Sequence, residues 1–313
     1  SSPSALLAAV PVLLKFRPAM SVVVIGAETP RAEVRMTMRY DLPDPASPEA
    51  AARLARHALE VIARQQLRVA VAVGYGPDEL VAPVAAALLA AGADSDVTVP
   101  EFLRAENGRY WSYACTSPDC CPPEGTPYTD ASEPTAAGPA CPGPQILASR
   151  EELAATVAAD PDAAATMRRA TRRAERELGE LTAQARPSDP LTAARMIAQP
   201  GLEAAGKAIA RYRDGGRPLS RTDIATLTVA LRSLRVRDDA WARMDPEHHA
   251  AHLRLWTDAT RLARPGYVAA PASLLAFTAW QSGNGALANV ALDRALADDP
   301  RYSMARLLRE ALD

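Results

Sequence analysis

Lysine is nearly absent from this chain of 313 residues. Lys15 and Lys207 are the only two, so 33 of the 35 basic side chains (35 − 2) are arginine. Aromatic residues make up only 5%, and there are just four histidines. A core with so few rings has to be built from Ala, Val and Leu, which suits helices that approach one another closely. Charge of one sign is not in excess either: a net −2 gives no overall pull toward nucleic acid or anionic lipid. No apolar run reaches the roughly 18–20 residues needed to span a bilayer. The run ALLAAVPVLL (5–14) is too short and contains Pro11, and Lys15 and Arg17 follow it rather than precede it. It therefore reads as a buried helix and not as a secretory signal. With no targeting segment in view the expected compartment is the cytoplasm, where a structural disulfide is not the default. There is no G-x-G-x-x-G and no Walker motif.

What is present is an ordered alternation of elements. SVVVIGA (21–27) is a short apolar run expected to form a buried strand. In AEVRMTMRYDL (32–42), Val34, Met36, Met38 and Tyr40 alternate with Arg35, Thr37 and Arg39, the period of a half-buried strand. The TPR at 29–31 is a candidate turn between them. SPEAAARLARHALEVIARQQ (47–66) has Ser47 as candidate N-cap, Pro48 in the first turn and a stripe of Leu54, Ala58, Val61 and Ile62, so it reads as a helix. RVAVAVGYGP (68–77) is a central strand, and residues 77–93 form a second helix stopped by Gly92. Residues 96–115 hold two strands around the turn Glu106-Asn107-Gly108. The order β-β-α-β-α-β-β implies a mixed-sheet α/β domain over 1–115.

Prolines 118, 122, 123, 127, 134, 139, 142 and 144 make 116–148 a proline-rich cysteine loop with no room expected for a regular element. From 149 to 313 the pattern is all-α, beginning with the capping box Ser149/Glu152. Helices are expected over 149–160, 161–184, 190–213, 220–235, 238–243, 246–263, 270–282, 285–298 and 301–312. The last hairpin has Gly283 and Gly285 at its connection, Ala291 and Ala295 on its second helix, and Pro300 after it, and it looks like a tetratricopeptide hairpin. The expected fold is an α/β sheet domain followed by an all-α helical domain, α+β for the whole chain.

Several long stretches carry a family resemblance. SPSALLAAVPVLLKFRPAMSVVVIG, VAVGYGP, RYWSYACTSPDCCPPEGTP, ALRSLRVRDDAWARMD and AAPASLLAFTAWQSGNGALANVALDRALADDP resemble the actinobacterial domain of unknown function 4192 family, from about residue 2 to the end. The resemblance implies a cytoplasmic actinobacterial protein and carries no activity and no catalytic residues. Three positions depart from it. Lys15 and Arg17 stand where the family pattern has glycine and histidine, and Met20 where it has an acidic residue.

Two places could carry chemistry. In VGYGP, Gly74, Tyr75 and Gly76 lie between a strand and a helix, where α/β folds hold ligands. Asp78 and Glu79 at the helix start would repel phosphate. Arg109 and Glu124 complete the candidate ligand site. Cys115, Cys120 and Cys121 fall within seven residues, C-x4-C-C, and Cys141 lies twenty residues further on. Zinc wants four tetrahedral ligands, usually in spaced pairs, and adjacent cysteines commonly point apart. A Cys115–Cys120 disulfide is sterically feasible. A nucleophilic cysteine needs a base, and His57, His248, His249 and His252 are not placed near one by the sequence. Reduced thiols packed beneath the hairpin as small apolar residues are the leading expectation.

The remaining motifs are weaker. HHAAH (248–252) has metal-compatible spacing but lacks the glutamate of a zinc-protease helix. Asp238, Asp239, Asp245 and Asp258 read as caps and surface charges. Arg168, Arg169, Arg172, Arg173 and Arg176 read as a salt-bridged helix face without the aromatics that stack nucleic-acid bases. The expectation is a non-catalytic interaction or regulatory module with a protein partner, no nucleic acid, no membrane, no metal and no cofactor. The alternative is a small-molecule-binding protein or enzyme with its site between VGYGP and the cysteine loop. Oligomeric state is left open.

Overall fold

The computed structural model describes residues 2–28, 33–45, 47–115, 117, 120–129, 146–184 and 190–312. The chain divides into two compact units, Ser1–Arg150 and Glu151–Asp313.

The first unit opens with α1 (Pro3–Leu14), capped by the Ser2 hydroxyl and burying Leu7, Val10, Pro11 and Leu14. β1 (Ser21–Glu28) and β2 (Glu33–Asp41) form an antiparallel pair. The candidate turn at 29–31 lies outside the described residues. α2 (Pro48–Arg64), β3 (Val69–Tyr75), α3 (Asp78–Ala93), β4 (Thr98–Glu106) and β5 (Arg109–Ser112) follow. The mixed sheet runs β2-β1-β3-β4-β5 and ends on β6 (Thr126–Pro127), with β3 and β4 its parallel pair. Val22, Val24, Ala70, Ala72 and Phe102 of the sheet share a core with Ala58, Ile62, Val84 and Leu88 of the two helices. Small residues dominate that core, as the scarcity of rings requires.

Two details differ from the sequence reading here. Ser47 sits at the N-cap of α2, but its side chain makes no capping hydrogen bond. The proline-rich segment does contain a strand: Arg109 pairs with Pro127 and Tyr110 with Thr126. Proline is tolerated there because an edge strand needs no outward N–H. An isolated bridge, Phe16 to Leu147, ties the far end of the segment back to the start of the chain.

Lys15 ends α1 in the left-handed conformation, with φ 66°. A β-carbon there costs about 1–2 kcal/mol, against an entropic penalty of about 0.5–1 kcal/mol for glycine. Lys15→Gly should therefore stabilise the sheet unit by about 0.5–1 kcal/mol in urea unfolding. A loss of stability would show that the lysine stem makes contacts outweighing the strain.

The second unit is helical. It comprises α4 (Arg150–Ala155), α5 (Ala164–Gln184), α6 (Pro190–Arg213), α7 (Arg221–Ala230), α8 (Leu234–Ala242), α9 (His249–Leu262), α10 (Ala269–Gln281), α11 (Gly285–Asp298) and α12 (Ser303–Leu312). A 3-10 turn at Pro246–His248 precedes α9. The helix expected over 220–235 stops at Ala230, and a new one starts after Ser233. A capping box forms at Ser220/Asp223, with both reciprocal hydrogen bonds present. α10 and α11 pack together across the short connection at Gly283, where φ is 74°. Asn284 caps the second helix, and Ala291 and Ala295 are buried against the first.

The two spaced histidines of the HHAAH motif take different partners. His252 is buried, accepts from the Asp245 N–H through Nε2, and has its imidazolium disfavoured chiefly by burial. His248 turns away to the Asp245 carboxylate at 2.8 Å. The expected surface carboxylates divide. Asp239 pairs with Arg243, but Asp258 accepts from the part-buried Tyr212 hydroxyl. In the arginine stripe, Arg173 bridges Glu177 one turn away at 2.7 Å.

Candidate functional site

The parallel strands β3 and β4 end side by side, with the Gly76 N–H donating to the Ala105 carbonyl. Gly74 is needed for packing: a β-carbon there would collide with the Val81 side chain of α3. Gly76 has φ 151° and lies against Leu42 and Met20. Asp78 begins α3 and accepts a 2.6 Å hydrogen bond from the Tyr113 hydroxyl. Burial, and then that bond, hold the Tyr113 phenol above the ordinary tyrosine range.

Arg104 lies beside it on β4, only 8% exposed. Its guanidinium donates to Glu106 at 2.7 Å, lies 3.4 Å from Asp78, and stacks 3.7 Å over the Trp111 ring. The sequence reading missed Asp78, Arg104 and Tyr113 as partners. The one available signal was a lone arginine among the apolar residues of EFLRAE.

Trp111 and Arg109 hold the loop that follows. The Trp111 indole N–H donates to the Pro123 carbonyl at 2.9 Å. Arg109 Nη1 donates to the Glu124 and Gly125 carbonyls at 3.2 and 2.7 Å. The candidates Arg109 and Glu124 do meet, but through a backbone oxygen; the Glu124 side chain belongs to an exposed residue. Gly125 is buried under the indole with φ 79°. Two open grooves occur elsewhere. One, of about 400 Å³, lies between α2 and α3 beside Arg53 and Ala87. The other, of about 430 Å³, lies in the helical unit beside Tyr212 and Arg254.

The pinned loop gathers three sulfurs. The Ser117 carbonyl accepts from both the Cys120 and Cys121 N–H groups. The Ser112 hydroxyl accepts from the Cys115 N–H at 3.1 Å and donates to Glu101 at 2.7 Å. Between these anchors, Cys115 Sγ lies 3.0 Å from Cys120 Sγ, and Cys120 Sγ lies 3.8 Å from Cys121 Sγ. All three sulfurs fall within 4.8 Å of one another. They are free thiols.

This revises two expectations. The adjacent cysteines do not point apart: their sulfurs lie 3.8 Å from each other and both lie near Cys115. Nor are the thiols packed as buried filler: Cys120 is exposed, and Cys115 and Cys121 are half-buried. Cys141 lies outside the described residues. Hydrogen bonds from Cys120 and Cys121 lower the Cys115 thiol below its usual range. The reciprocal bond with Cys115 pushes the Cys121 thiol up to about 12. Within the cluster the Cys115 thiol is thus lowered and the Cys121 thiol raised.

A family model described as Domain of unknown function (DUF4192) matches residues 3–313. No curated protein and no solved structure matches the chain. Because the family match runs through both the sheet unit with its three-sulfur loop and the helical unit, the chain belongs to the Domain of unknown function (DUF4192) family.

Proposed function

We propose that this protein is a thiol-responsive regulatory module of a reducing cytoplasm, acting on a protein partner without catalytic turnover. Its switch is a reversible Cys115–Cys120 disulfide. The observation that supports this reading best is the 3.0 Å separation of those two solvent-reachable sulfurs. A disulfide bond of about 2.05 Å is then reached by closing about 1 Å, within the play of a surface loop. The oxidant is hydrogen peroxide. Cys115 sulfur attacks the peroxide oxygen, the O–O bond breaks, and a sulfenic acid forms as one water leaves. Cys120 sulfur then attacks that sulfur, the S–S bond forms, and a second water leaves. Two thiols are oxidised by two electrons and one peroxide is reduced. A cellular dithiol reverses the step by thiol–disulfide exchange.

Full-length protein treated with stoichiometric hydrogen peroxide should lose the mass of two hydrogen atoms, with peptide mapping placing the bond between Cys115 and Cys120. Cys120→Ser should instead stop at the Cys115 sulfenic acid or carry it on to the sulfinic acid. Wild-type protein that keeps both thiols, or that goes directly to the sulfinic acid, overturns the reading.

A further inference from the structure

The disulfide uses two sulfurs and leaves Cys121 without a role, although it lies in the same cluster. From this we propose that Cys115, Cys120 and Cys121 together bind one soft divalent metal ion, zinc by its coordination chemistry, in a three-thiolate site with its fourth position open. This deepens the thiol-switch reading and rests on the same cluster, since a bound ion would shield the sulfurs from peroxide.

The argument is geometric. In a tetrahedral zinc site with Zn–S bonds of about 2.3 Å, neighbouring sulfurs lie about 3.8 Å apart. The Cys120–Cys121 separation already has that value at 3.8 Å, and the Cys115–Cys120 edge at 3.0 Å needs to open by less than 1 Å. Thiols are weak hydrogen-bond donors to one another. Contacts between S–H groups therefore offset little of the conformational entropy lost in collecting three of them on an exposed turn. A metal–thiolate bond offsets far more.

The turn is also held from both sides. Ser112 fixes the Cys115 backbone, and the Ser117 carbonyl fixes Cys120 and Cys121. Downstream, Trp111 and Arg109 grip Pro123, Glu124 and Gly125. Such outer supports preserve the aim of ligands at a metal. The open fourth position follows from the exposure of Cys120.

Reduced, chelator-treated full-length protein is titrated with Co²⁺ as the spectroscopic probe, followed by Zn²⁺ in competition. The expected result is one ion per chain, with sulfur-to-cobalt charge-transfer absorption that zinc abolishes. Cys115→Ser, Cys120→Ser and Cys121→Ser should each weaken zinc binding by at least about tenfold, the lower end of what even supporting residues cost. The Cys121→Ser variant separates the two readings, because it should lose the metal yet still form the Cys115–Cys120 disulfide. Absorption typical of oxygen and nitrogen ligands, less than one ion per chain, or a Cys121→Ser variant that binds as tightly as wild type overturns the metal site. A wild type that binds zinc while the metal-free protein forms no disulfide leaves the site standing and sinks the switch.

Discussion

Trp256→Ala should destabilise the helical unit by about 3–5 kcal/mol, the range for emptying a large core site. Trp256 lies on α9, is 0% exposed, and is the largest fully buried side chain. α9 packs against α6, α7 and α10, so a cavity there faces several helices that cannot all collapse into it. The indole N–H has no hydrogen-bond partner among the described residues. Trp256→Phe should therefore cost much less, since it loses volume but also removes an unpaired donor. Trp280 is 41% exposed and supplies the contrast: Trp280→Ala should change stability by no more than about 1 kcal/mol. Denaturant unfolding followed by circular dichroism checks all three. Equal losses at positions 256 and 280 would mean that the helical core is not centred on α9.

Gly125→Ala should cost the sheet unit about 2–5 kcal/mol and disorganise the thiol cluster. Two penalties combine. At φ 79° a β-carbon carries about 1–2 kcal/mol of strain. The same carbon would lie 2.5 Å from the Trp111 ring, an overlap that typically adds about 1–3 kcal/mol. Trp111 cannot yield freely, because it donates to Pro123 and carries the Arg104 guanidinium on its face. Whichever side moves, the segment holding Cys120 and Cys121 shifts relative to Cys115. Disulfide formation should slow by about tenfold or more, since misplacements near 1 Å carry penalties of that order or larger. Thermal unfolding gives the stability arm and timed alkylation after peroxide gives the rate arm. Unchanged kinetics in a destabilised Gly125→Ala would show that the loop anchor does not position the sulfurs.

The legible parts of the fold were those with an uninterrupted period. The alternation in β2 and the apolar stripe of α2 placed both elements within two residues of their observed limits. β1 and β3 were legible as apolar runs because both lie inside the sheet. Elements fixed by contacts distant in sequence were not. β6 is two residues long and contains a proline, and only its pairing with β5 makes it a strand. The break between α7 and α8 has no glycine or proline; Leu231 and Val236 are buried on either side of it, so packing decides its place. The left-handed conformation of Lys15 agrees with the glycine that the family resemblance leads one to expect there.

The candidate site divides along the same line. The cysteine spacing marked the loop where three sulfurs gather, but not the direction of the side chains, which contacts such as those to Ser112 and Ser117 help to set. Gly74 was visible as a glycine and its reason was not, because Val81 approaches from the following helix. Arg109 and Glu124 meet, but through a backbone carbonyl that no side-chain motif can reveal.

The central claim is that three reachable sulfurs form one cluster with Cys115 and Cys120 as its reacting pair. The most direct measurement is differential alkylation with peptide mapping, before and after one equivalent of hydrogen peroxide on the folded, metal-free chain. The account predicts that Cys115, Cys120 and Cys121 are all labelled beforehand. Afterwards Cys121 alone of the three should remain labelled, with a Cys115–Cys120 crosslinked peptide appearing. Three thiols protected from the outset, or a crosslink that omits Cys115, would contradict it.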